Sequence, residues 1–157
     1  MIIAKHMALS AIVGLLISAL LYPFAADAAS CESVARQVSR QVLSPIDETE
    51  LAEILNALNA SDNRDLPPKF LTKKQAREAG WKPGKDLWSI RKLRGKSMGG
   101  DSFGNFEKKL PKGQWREADL NYKGGHRGPK RIVYSRAGVR FVTVDHYKTF
   151  MEVPACK

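Results

Sequence analysis

The chain has 157 residues, a net charge of +10 and 43% hydrophobic residues. That composition suits a folded domain and argues against a disordered tail or a multi-span membrane protein. It contains no P-loop, no dinucleotide-binding glycine fingerprint and no C-x-x-C pair, so phosphate-loop, Rossmann and zinc-ribbon chemistries lack their usual carriers.

In chain order, Lys5 and His6 precede an apolar run from Met7 to Leu21, followed by small residues with Ala26-Asp27-Ala28 as an A-x-A site. That order predicts a secretory signal peptide over residues 1–28. An uncleaved membrane anchor is the alternative, but the run falls short of the ~20 residues a span needs. About 130 residues then remain, enough for one domain with one core. Residues 29–62 are predicted as an N-terminal helical segment and 63–157 as the main domain.

Ser30 is placed to cap a helix carrying Val34, Val38 and Val42 at fourfold spacing, ended by Ser44-Pro45. Asp47 and Glu50 have the spacing of a capping box before a second helix, whose core stripe is Leu51, Ile54, Leu55 and Leu58. Thr72 and Gln75 repeat the pattern for a short helix that Gly80 ends. One more short helix is expected in KPGKDLWSIRKL. From Lys96 onward glycines and prolines separate five extended runs, SMGGDSF, QWREADLNY, KRIVYS, VRFVTVDHY and TFMEV. Helices first and strands afterwards predict an α+β domain.

Charge is divided unevenly along this plan. Residues 30–64 hold three basic and six acidic residues, whereas 65–157 hold 22 basic and nine acidic. A cationic C-terminal region suggests a polyanionic partner, either nucleic acid or an anionic membrane face. The two cysteines, Cys31 and Cys156, lie near the ends of the mature chain, and an even pair in an exported protein predicts a disulfide. A lipid on Cys31 would leave Cys156 without a partner.

The run from Trp115 to Ser135 reads as strand, glycine-rich loop and strand. Alternation puts Trp115, Glu117, Asp119 and Asn121 on one face, with Arg127, Lys130 and Arg131 returning beside them. His126 and His146 are the two histidines outside the signal. One carboxylate, one histidine and several cations suit RNA cleavage through its own 2′-hydroxyl, which needs a base, an acid and positive charge around phosphorus. Arginines beside Glu117 favour its ionised form and burial opposes it. The same residues also suit a cross-strand ion pair on a merely cationic face, while the candidate ligands for a metal-dependent nuclease, Glu117, Asp119, Asp145 and His146, sit among cations that would repel a metal.

Five motifs, LPPKFLTKKQAREAGW, GKSMGGDSFGNFEKKLP, WREADLNY, HRGPKRIVYS and VDHYKTF, resemble in order those of barnase and related extracellular bacterial guanyl-preferring ribonucleases, over about Leu66 to Met151. The resemblance implies N-terminal helices on a five-stranded antiparallel sheet. It implies Glu117 as base, His146 as acid, Lys73, Arg127 and Arg131 as phosphate-binding cations, and Asp119 as their orienting partner. The guanine-reading loop falls on Phe103, Gly104, Asn105, Phe106 and Glu107, where Phe106 replaces the family's usual arginine and offers a stacking face instead.

Residues and resemblance together predict a secreted, metal-independent endoribonuclease without cofactor, monomeric, extracellular or periplasmic, with no membrane attachment when mature. Its expected partners are RNA and a small acidic barstar-like inhibitor. The rival is a non-catalytic cationic protein that binds nucleic acid or anionic membranes.

Overall fold

The computed structural model describes residues 28–157; the signal peptide expected over 1–28 lies outside the described residues apart from its last. Two helices, α1 (Cys31–Gln41) and α2 (Glu48–Ala60), come first. A two-residue strand β1 (Phe70–Leu71) and a short helix α3 (Lys73–Glu78) follow. Then come 3₁₀ turns at Leu87–Ser89 and Arg91–Leu93, and strands β2 (Ser97–Phe103), β3 (Trp115–Asp119), β4 (Arg131–Ser135), β5 (Arg140–Thr143) and β6 (Met151–Glu152).

The α+β class is as expected, and the five extended runs each supply a strand. The sheet has a sixth member, however: β1 lies parallel to β2 at one edge, and β2 to β6 are successively antiparallel. Two residues are too few to show alternation, so sequence periodicity passes over β1. The helix expected in KPGKDLWSIRKL is instead the pair of 3₁₀ turns. Asp86 caps the first, accepting from Trp88 N at 2.8 Å and from the Tyr122 hydroxyl at 2.8 Å.

Caps and stripes explain the helices. Ser30 Oγ accepts from Ser33 N, and Thr72 with Gln75 forms a complete capping box. Asp47 accepts from Glu50 N, but the Glu50 carboxylate does not return the bond. It is buried, pairs with Lys69 Nζ at 3.2 Å and accepts from Asn121 N at 2.6 Å, so a residue placed for capping instead ties α2 to the end of β3.

The main core lies between α1, α2 and one sheet face: Val34, Val38, Leu51, Ile54, Leu55 and Leu58 pack on Ala118, Ile132, Tyr134 and Val142. Gly99 of β2 sits where the chain crosses this core. A Cβ there would lie 2.7 Å from Phe70, 2.8 Å from Leu66 and 2.9 Å from Ala118, so only glycine fits without movement. The opposite sheet face packs Trp115, Val133, Phe103, Phe141 and Phe150 around Leu110. Glu117 and Asp119 emerge on this second face, away from α1 and α2.

Cys31 and Cys156 form the expected disulfide, with Cα atoms 4.9 Å apart. It fastens the start of α1 to the C-terminal tail, where Asn59 Nδ2 donates to the Cys156 carbonyl at 2.9 Å.

Candidate active site

Pleating brings two carboxylates to one face of β3, and each has different partners. Asp119 pairs across the ladder with Arg131 and is 2% exposed. Its oxygens take Arg127 in bidentate fashion, Nε to Oδ2 at 2.7 Å and one terminal nitrogen to Oδ1 at 2.6 Å. Arg131 Nε lies 2.9 Å from the same Oδ1 as an ionic contact without hydrogen-bond alignment, while its terminal nitrogen donates to the carbonyls of Gly128 and Lys130. The hydrogen bond to Asp119 holds the Arg127 guanidinium above its already high ordinary pKa. Both arginines are therefore fixed in place rather than free to wander.

Glu117, two residues earlier, is held at both oxygens. Lys73 Nζ approaches Oε1 at 3.2 Å, and the Tyr147 hydroxyl donates to Oε2 at 2.5 Å. Lys73 is itself placed by its backbone, whose N–H donates to Asp101 Oδ2 at 2.9 Å. Burial first, and the Glu117 carboxylate after it, push the Tyr147 phenol well above its ordinary range, so it stays a donor at neutral pH. Each Glu117 oxygen keeps a second lone pair for an incoming proton.

His146 is exposed, and it occupies a turn of unusual backbone: His146 and Tyr147 both have positive φ, 60° and 68°. Two consecutive non-glycine residues there are strained and need outside support. Asp145 supplies it by accepting from the Thr143 hydroxyl, the backbone N–H groups of Lys148 and Thr149, and the Thr149 hydroxyl. The Thr149 side chain above all lowers the Asp145 carboxyl from 3.8 to about 2. A depressed folded pKa contributes stability present above the unfolded value and lost as pH falls through the folded one. Acid unfolding should therefore have a component between about pH 4 and 2. Asp145→Asn should remove that component, and at neutral pH it should lower kcat more than it raises KM. An unchanged acid titration and an unchanged kcat would show that the turn does not depend on Asp145.

Lys73, Arg127, Arg131 and His146 line one cleft of about 320 Å³, with Arg77, Lys85 and His126 added to its wall. Across Tyr147 from it is a smaller apolar hollow of about 140 Å³, lined by Phe103, Asn105, Phe106, Glu107 and Phe150 among others. Asn105 locks that loop by exchanging hydrogen bonds with the backbone of Leu110. Phe106 is 94% exposed, and its ring lies over Gly104, where a Cβ would come within 2.2 Å of it. Glu107 is paired with Lys109.

All the residues singled out for catalysis thus converge, and the expected loop lines the neighbouring hollow. Two expectations about the hairpin fail. Lys130 donates to the Pro45 carbonyl instead of joining the site, and Asn121 leaves the strand with φ +61° and turns to the backbone of Asp47. Both follow from the same cause, since β3 ends at Asp119 and the connection to β4 is a long loop rather than a tight turn. Sequence reasoning misses Tyr147 and Asp101, and weighs Asp145 only as a metal ligand, not as the brace of the His146 turn. Tyr147 and Asp145 flank His146, and that adjacency is the available signal.

Fold and site together define a class: a small α+β nuclease with a cation-walled cleft. Within that class, the sequence model described as ribonuclease matches residues 56–154, and the chain belongs to this ribonuclease family, of the bacterial barnase-like type. It is 35% identical over 151 residues to a ribonuclease of Bacillus intermedius, covering 88% of this chain and 92% of that protein. It is 44% identical over 92 residues to a ribonuclease of Heyndrickxia coagulans, covering 56% of this chain and 83% of the relative. A ribonuclease of Bacillus pumilus is also 44% identical over 92 residues, covering 56% of each chain.

Proposed function

We propose that this ribonuclease is an exported endoribonuclease that cleaves single-stranded RNA by transesterification to a 2′,3′-cyclic phosphate, followed by hydrolysis, with a preference for guanine. The observation that carries the chemistry is Glu117, gripped by Lys73 and Tyr147 beside two arginines locked on Asp119. Glu117 takes the 2′-hydroxyl proton, and the 2′-oxygen attacks phosphorus. His146 gives a proton to the departing 5′-oxygen. Lys73, Arg127 and Arg131 stabilise the extra negative charge on the phosphoryl oxygens. In the second step His146 draws a proton from water and Glu117 returns one to the 2′-oxygen. Both carboxylates face fixed cations, whose charge would oppose an incoming metal ion. The Cys31–Cys156 bridge supports export into an oxidising compartment. A small acidic protein inhibitor would suit the cationic cleft.

Incubation with RNA, matched DNA and RNA plus chelator tests this reading. RNA alone should be lost, regardless of chelator. Cleavage of DNA, or protection of RNA by chelator, would sink the 2′-hydroxyl mechanism.

Guanine preference rests on the hollow. Glu107 must leave Lys109 to accept from the guanine edge, while the exposed Phe106 ring offers a face to any base. Guanine preference should therefore be present but shallow. Phe106→Arg should raise kcat/KM on dinucleotides several-fold and steepen its salt dependence, a hydrogen bond to a charged group being worth roughly 1.5–3 kcal/mol before screening. Glu107→Gln should flatten the ranking of GpN, ApN and CpN. An unaltered salt slope in the first variant would mean that position 106 does not face the substrate.

A further inference from the structure

At the end of the sheet where β2 finishes and β3 begins, beyond the end of α2, lies a second cleft, of about 570 Å³, lined by residues of both sheet faces. Arg116 of β3 points into it, since it alternates with Glu117, and its ladder partner Tyr134 of β4 lies beside it. Arg136, just past β4, and Asn63, just past α2, line it as well.

Three observations make this more than a dent in a basic surface. Among the described residues neither Arg116 nor Arg136 has a carboxylate partner, and Arg116 donates only to the Gly100 carbonyl, although the chain's other site arginines are tightly paired. Tyr134 is 1% exposed, and its hydroxyl bonds no described residue but opens onto the cleft rather than being sealed in the core. Burial above all keeps that hydroxyl protonated and available as a donor, raising its pKa to about 12 against a smaller pull from Arg116, with Asp65 and Asp101 adding to the rise. Thirdly, Arg140, next in the same cross-strand row, is 5% exposed and is held by Asn59 and Asn63 amides rather than by an anion. A buried guanidinium without a counter-charge lends its positive potential to the neighbouring cleft.

Phe103 lines both this cleft and the apolar hollow of the Asn105–Glu107 loop. A strand whose base sits in the hollow runs its 3′ side past Glu117 to His146. Phe103, shared by the hollow and the second cleft, offers the 5′ side a continuous way out. We propose that this second cleft binds the phosphates upstream of the nucleotide in the hollow, an inference that rests on the proposed role of the loop. Its concave shape and recessed hydroxyl suit a threaded phosphodiester rather than a flat membrane.

The test compares kcat/KM on a GpN dinucleotide with the same substrate extended by five nucleotides on its 5′ side, and follows binding of an all-deoxy oligonucleotide against salt. In the unaltered protein the extension should raise kcat/KM. Arg136→Gln and Arg116→Gln should each remove about 5-fold of that gain at 0.1 M salt and lower the binding slope by about 0.7, the single-strand value for one phosphate contact, while dinucleotide cleavage stays unchanged. Tyr134→Phe, which keeps the buried ring, should lose part of the gain with no fall in melting temperature. No gain from extension, an equal gain in all variants, or an equal loss on the dinucleotide would overturn the proposal. So would loss of binding to phosphatidylglycerol vesicles with oligonucleotide binding intact. A protein that ranks GpN no higher than ApN or CpN would count against the loop reading instead, and the oligonucleotide salt slopes would still decide the cleft.

Discussion

Glu117→Gln and His146→Ala should each lower kcat on RNA by roughly 10²–10⁴-fold, the usual contribution of a positioned acid or base, while affinity for a non-cleavable deoxy oligonucleotide changes little. The glutamine keeps the shape of the side chain and can still accept from Tyr147, but it cannot take up the 2′-hydroxyl proton. His146 is exposed and its side chain makes no hydrogen bond among the described residues, so its truncation removes a proton donor without disturbing the Asp119 cluster. Arg127→Ala should behave differently. It strips a phosphate contact and leaves buried Asp119 short of its bidentate partner, so affinity, turnover and stability should fall together. Near-normal kcat in both the Glu117 and His146 variants would show that proton transfer is carried elsewhere.

The site is legible in the sequence because its parts sit on short, regular elements. Alternation along β3 puts Glu117 and Asp119 on one face, and cross-strand pairing delivers Arg131 to Asp119. Lys73 can be placed because Thr72 and Gln75 announce the start of α3. The parts that escape are carried by irregular backbone. Consecutive positive φ angles at His146 and Tyr147 reverse the direction of both side chains, and no two-residue periodicity describes that turn. The Tyr147 bond to Glu117 depends on it. Lys130 is misplaced for the complementary reason: a glycine-rich run reads as a tight hairpin, whereas Tyr122 leaves the strand to pack with Trp81 and Leu87, lengthening the loop. The upstream cleft is equally hidden, since its character comes from what its arginines lack, and missing partners cannot be read from a one-dimensional pattern.

Reduction of the disulfide should lower the melting temperature by on the order of 15 °C while leaving the activity of the still-folded protein intact. The bridge closes a loop spanning a sequence separation of 125, for which the chain-entropy relation gives roughly 5 kcal/mol, an upper figure because reduced chains retain some structure. At about 3 °C per kcal/mol for a domain of this size, that converts to a shift of about 15 °C. The effect should be confined to stability. α1 reaches the rest of the protein through α2 and the helix-facing sheet surface, with Val34, Ala35 and Val38 in that core, whereas Glu117, Arg127, Arg131 and His146 lie on the other face. The measurements are thiol titration, thermal unfolding and kcat/KM at 25 °C, with and without reductant, and the same for Cys31→Ser with Cys156→Ser. Two free thiols in the native exported protein would contradict the bridge. An unchanged melting temperature would mean that α1 and the tail are held by packing alone. Loss of activity well below the reduced melting point would mean that strain passes through the sheet from one face to the other, and the separation of scaffold from site would have to be abandoned.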